Sequence, residues 1–120
     1  MSAIDDHDHP IPDRIVERIA DDHNLSDADL HNGIKTIDET DGIRAKIGNR
    51  LENEDGWEIL KDTRFATYYL VNDDWVPHLT NDNPDSPSDM TQALEQCYKQ
   101  CIIAKVSGTI DLDCGFVLSN

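Results

Sequence analysis

Positive charge is what this chain most lacks. Ten Lys and Arg stand against 25 Asp and Glu in 120 residues, a formal net charge of −15. Such an imbalance implies a solvated acidic surface. Cysteine is also scarce. Cys97, Cys101 and Cys114 make an odd count, which argues against a disulfide framework. No apolar run approaches the ~20 residues that span a bilayer, and the N-terminus MSAIDDHDHP has neither a basic nor a hydrophobic region. A cytoplasmic, soluble chain with no membrane partner is therefore expected. Gly-rich phosphate loops, nucleophile elbows and zinc-protease spacings are absent, so neither an enzyme nor a cofactor is expected.

The two signs of charge are laid out differently. Acids run from Asp5 to Asp113 without forming a block, whereas five of the ten bases fall in one stretch: Arg44, Lys46, Arg50, Lys61 and Arg64. One relieved patch on an acidic chain implies a local site for a negative partner. The excess of Asp over Glu and the scarcity of Lys resemble cytoplasmic proteins of halophilic archaea. At ~1 M salt the Debye length is only ~3 Å, so self-repulsion is largely screened and strong salt dependence is expected. A DNA-mimicking inhibitor would need its acids on one face, and their even spread argues against it.

The periodicity predicts an α+β chain of three helices and a β-hairpin, followed by a C-terminal helix and strand. Residues 1–9 read as a disordered tail. Pro12 opens a first helix with Ile15, Val16, Ile19 and Ala20 at helical spacing. Ser26 is an N-cap candidate for a second, with Leu30, Ile34 and Ile37 as its apolar stripe. A third covers 43–53, carrying Ile43, Ile47 and Leu51. Trp57–Leu60 and Phe65–Val71 read as strands around a turn at Lys61–Arg64. A domain over 10–79 is then followed by a linker at 80–86 and a segment at 87–120. In that segment Ser86 caps a helix with Pro87 at its first position, and Gly108 stops it. Ile110, Leu112, Cys114, Phe116 and Leu118 then alternate as a strand with one buried face. Met90, Leu94, Cys97, Cys101 and Ile102 line one face of the last helix, to form a homodimer seam or to cover the sheet.

Three short helices followed by a two-stranded ribbon is also the order of a winged helix-turn-helix. RIVERIADDHNLSDADLHNGI at 14–34, IRAKIGNRL at 43–51 and the hairpin ending ATYYLV at 66–71 resemble the winged helix DNA-binding domains of archaeal regulators. The resemblance implies a recognition helix at 43–53 and a wing tip at 61–64. Arg44, Lys46, Asn49 and Arg50 would then face the groove of double-stranded DNA, where Arg reads guanine and Asn adenine. Lys61, Thr63 and Arg64 would hold phosphates. IVERIADDHNLSDADL at 15–30 and IKTIDETDGIRAKI at 34–47 resemble, in competition, the haloarchaeal output domain of sensor and regulator proteins. That likeness implies a protein-interaction module without DNA binding. By analogy with two-fold regulators, a homodimer is expected.

Other constellations read as structural. Cys97, Cys101 and Cys114, with His78, lack the usual zinc knuckle spacing and lie on apolar stripes, so core packing is expected of the thiols and no metal. Asp6-His7-Asp8-His9 falls in the tail, and His23 and His31 are read as solvated. Asp73-Asp74 is a chance carboxylate pair in an Asp-rich chain. Trp57, Phe65, Tyr68 and Tyr69 are expected in the core rather than on a base-stacking platform.

Overall fold

A computed structural model describes residues 9–83, 85–106, 108, 112 and 114–119. The fold is α+β. Its elements are α1 (Asp13–Asp22), α2 (Asp27–Asp38), α3 (Ile43–Asn53), β1 (Glu58–Asp62), β2 (Ala66–Leu70), α4 (Trp75–Leu79), α5 (Asp89–Lys105) and β3 (Gly115–Ser119). The three strands form one antiparallel sheet in the order β1-β2-β3.

The first three helices lie where spacing places them. Ile15, Val16, Ile19 and Ala20 of α1, Leu30, Ile34 and Ile37 of α2, and Ile43 and Ile47 of α3 are all buried. Gly42 enters α3 with φ +76°, a left-handed value that glycine reaches without steric cost. Gly33 in the middle of α2 has a packing reason. A Cβ there would stand 3.3 Å from the side chain of Leu94, so its absence lets α5 approach.

The first strand of the hairpin runs further, and its turn comes later, than the residue pattern indicates. β1 runs through Asp62, and the turn is Thr63–Phe65. Thr63 organises it: its amide and hydroxyl both bond the Ala66 carbonyl, and its Oγ1 accepts from the amides of Phe65 and Ala66. α4 is an unexpected element. Pro77 sits within its first turn, where a missing N–H leaves no bond unmade, and Trp75 is completely buried.

Residues 80–86 are not a linker between separate units. The Asp82 carboxylate accepts from the Ser88 amide and the Thr91 hydroxyl, each at 2.8 Å, and from the Asn83 amide. These bonds hold its carboxyl down at about pH 2. The cap of α5 is accordingly Ser88 rather than Ser86, with its Oγ accepting from the Thr91 amide. A single cluster of buried apolar side chains runs from Ile11 to Leu118, across the expected boundary.

β3 also departs from its pattern. Gly115, Phe116, Val117 and Leu118 are all buried, so both faces are covered rather than one. Phe116 meets Trp75 edge-on at 5.7 Å and Tyr98 at 4.7 Å. A Cβ on Gly115 would fall 2.3 Å from Ile102, which is how closely α5 lies on this strand. Ile110, Asp111 and Asp113 of the expected strand, and residues 1–8 of the expected tail, lie outside the described residues.

Candidate functional site

The seven side chains expected on one groove-facing surface divide into two groups. Lys46, Asn49 and Arg50 line a cleft of about 210 Å³ between α3 and α4, together with Glu54, Trp75 and His78. Arg50 is committed to the protein itself. Its Nε lies 3.1 Å from Glu54 one turn on, and an Nη lies 3.6 Å from Asp74. Its guanidinium also sits over the rings of Trp57 and Trp75, at 5.8 and 5.4 Å from their centroids. With only 19% of its side chain exposed, Arg50 rivets α3 to the start of α4. It is not available to read a base edge. Lys46 and Asn49 remain exposed on the rim.

The second group lies at the hairpin end of the sheet. Ser119 is opposite Ala66, and the Arg44 guanidinium donates to the Ser119 carbonyl. Lys61 reaches the Lys105 carbonyl at the end of α5, at 3.4 Å. Thr63 is occupied by the turn, and Arg64 packs over Phe65 at 5.8 Å. Arg44, Lys61, Arg64 and the end of α5 thus share one end of the sheet, away from the α3–α4 cleft. Among the described residues the ion pairs are those of Arg50 with Glu54 and Asp74, and of His31 with Asp13. Lys46, Lys61 and Arg64 make none.

The residues expected at a seam or over the sheet are inside the molecule. Leu94, Cys97, Cys101 and Ile102 are fully buried and Met90 is half-buried, with α5 packed on β3. They cover the sheet, and a seam at these positions would have to open the core. Burial pushes the Cys97 thiol up to about 12 and the Cys101 thiol up to about 11, because a thiolate there would lose its hydration. No group of three or more His, Cys, Asp or Glu among the described residues could hold a metal ion.

Two histidine readings need correction. His31 is buried, and His9 is stacked on it with its Nε2 2.7 Å from the His31 Nδ1. His9 Nδ1 accepts from the Ile11 amide, so Nε2 carries the proton and donates to His31. The remaining His31 nitrogen then faces Asp13 at 3.7 Å. No local signal marks a contact between residues so far apart in sequence. Asp73-Asp74 also separates, Asp74 going to Arg50 while Asp73 adds to the burial that chiefly raises the Glu95 carboxyl.

The surface feature that spacing missed is apolar. Trp57, Tyr68 and Tyr69 are core residues as expected, but Phe65 is 77% exposed and Ile59 is 50% exposed. Both belong to the β1–β2 hairpin, and they are the exposed large hydrophobics of the described residues. β1 is exposed along nearly its whole length. Among the described residues no helix is long and apolar enough to cross a membrane. Comparison with family models, with curated proteins and with solved structures gives no match.

Proposed function

We propose that this chain is a non-catalytic protein-interaction module of a halophilic cell, with the β1–β2 hairpin as its contact surface. One observation carries the reading: Phe65 and Ile59 stand exposed on the same hairpin while the other large apolar side chains gather in the core. Two large apolar side chains exposed on one hairpin support its reading as a surface that a partner covers. The commitment of Arg50 to Glu54 and Asp74 weighs against groove reading by α3. The haloarchaeal output-domain resemblance agrees with this reading.

A second reading keeps double-stranded DNA as the partner. It is favoured by Lys61 and Arg64, which make no ion pair among the described residues, and by Arg44 at the same end of the sheet. High salt opposes it, because affinity falls by almost a decade per neutralised phosphate for each decade of salt.

One experiment separates the two. Immobilised protein carrying Phe65→Ser and Ile59→Ser is compared with the parent chain for retention of proteins from cell extract in molar KCl. In parallel, each is titrated into a labelled duplex. The interaction reading expects a partner held by the parent and released by the double variant, with the duplex unshifted. A duplex shift abolished by Arg64→Ala would overturn it in favour of DNA.

A further inference from the structure

Hydrogen-bond donors outnumber uncommitted acceptors in the cleft between α3 and α4. Lys46, Asn49 and Arg50 stand at i, i+3 and i+4 on α3, so their side chains share one face. Trp75 and His78, three apart on α4, form the other wall, with their rings stacked at 6.1 Å. The Lys46 ammonium is exposed and makes no ion pair among the described residues. Asn49 Oδ1 already accepts from the Asn53 side-chain amide, which leaves Asn49 its own two N–H groups to give. The Arg50 Nε meets Glu54 and one Nη meets Asp74, which fixes the guanidinium without engaging all five of its N–H groups. Glu54, the acid in the wall, is engaged at both oxygens, one by Arg50 and the other by the Asn72 amide at 3.3 Å.

The α4 wall also strands a donor. Trp75 is completely buried, yet its indole N–H has no acceptor among the described residues. Native proteins rarely leave a buried donor unmet, and one bordering a cleft points to a bound group that accepts. We infer that the α3–α4 cleft binds a small oxyanion, the carboxylate or phosphate group of a low-molecular-weight ligand. Lys46 supplies the countercharge, while Asn49 and Arg50 direct hydrogen bonds whose geometry is set before the ligand arrives. Bonds from charged donors to an oxyanion are roughly twice as strong as neutral ones. At about 210 Å³ the cleft falls below the ~300 Å³ at which drug-sized pockets begin, which suits a compact acid. Molar salt screens charges beyond ~3 Å, so it removes repulsion from the rest of the −15 chain and leaves direct contacts in place.

Fluorescence reads the cleft directly, because Trp57 and Trp75 are the chain's two tryptophans and both lie against Arg50. Potassium phosphate and potassium acetate are titrated separately into the protein in molar KCl, with ionic strength held constant. A saturable change with at least one of them is expected, and the tighter of the two tells a tetrahedral from a planar preference. Lys46→Ala and Asn49→Asp, both at exposed positions, should each weaken that binding by about tenfold or more, as loss of a charged hydrogen bond does. Arg18→Ala, which removes an exposed base of α1 outside the cleft, should bind like the parent chain. A response that saturates with neither salt would overturn the inference. So would binding that survives Lys46→Ala and Asn49→Asp, or that Arg18→Ala weakens as much as they do.

Discussion

β1 and β3 flank the same central strand, yet one is open and the other enclosed. Every residue of β3 from Gly115 to Leu118 is buried, while four of the five residues of β1 are exposed. Composition explains part of the contrast, since three of the five residues of β1 are charged and none of β3 is, but it does not explain why Ile59 stays in water. Position does. α5 returns along β3, with Gly115 allowing it within reach of Ile102, and α2 supplies Asp38 at the strand's end. No other strand among the described residues pairs with β1 on its outer side. The same distinction sorts the cations: Arg50, at the enclosed α3–α4 junction, has acids and indoles around it, and Arg64, at the open end, lies over Phe65 and makes no ion pair among the described residues.

The contrast can be broken most severely at Phe116. Phe116→Ala removes the ring on which Trp75, Tyr98 and Tyr69 converge, and is expected to destabilise the chain by about 3–5 kcal/mol. Urea unfolding in molar KCl measures it, and a loss below that of an ordinary surface substitution would show that β3 is not the enclosed edge. Gly115→Ala should follow at about 1–3 kcal/mol, since its methyl group would drive Ile102 and Leu112 from a filled core. A neutral result there would mean that α5 stands further from the strand than described.

Acid sharpens the comparison on the α5 side. The Asp82 carboxyl sits at about 2 in the folded chain against an ordinary 3.8, so the unfolded chain takes up its proton first as pH falls. Its contribution is therefore complete above about pH 4 and is lost as pH drops from there toward 2. Asp82→Asn should be less stable than the parent chain at neutral pH, and the gap should narrow across that window. Parallel curves for the two proteins would remove Asp82 as the clasp of the 80–88 segment. Least of all is expected from Phe65→Ala: a change in folding free energy within about 0.5 kcal/mol, because the ring is already in water. A larger loss would mean that the hairpin tip is packed, and the distinction between the edges would fail.

Much of this fold was legible locally. Ile15, Val16 and Ile19, or Leu30, Ile34 and Ile37, announce their helices because a helical period is a property of a few adjacent residues. α4 escaped because five residues around Pro77 complete too little of a period to be counted. The cap of α5 moved from Ser86 to Ser88 because Asp82 chooses between two equivalent serines by binding the second. The candidate site was less legible. Arg44, Lys46, Asn49 and Arg50 are neighbours in sequence, but their directions diverge around α3: Arg44 meets Ser119 and Arg50 turns to Glu54 and Asp74, while Lys46 and Asn49 stay exposed. Of the two expectations for the α5 face, a seam or a cover for the sheet, the structure has the cover: an apolar helix face states that it will be covered, not by what.

The residues alone therefore determined the α+β class, the three N-terminal helices, the hairpin and the acidic character of the surface, since local spacing, caps and charge count suffice for these. Only the tertiary structure decided that β3 joins β2, that Asp38 closes one edge, that Arg50 turns inward to Asp74 and that Ile59 and Phe65 stay in water. Those outcomes depend on which distant segment arrives at each surface, and packing of the whole chain settles that by burying as much apolar area as its connections allow.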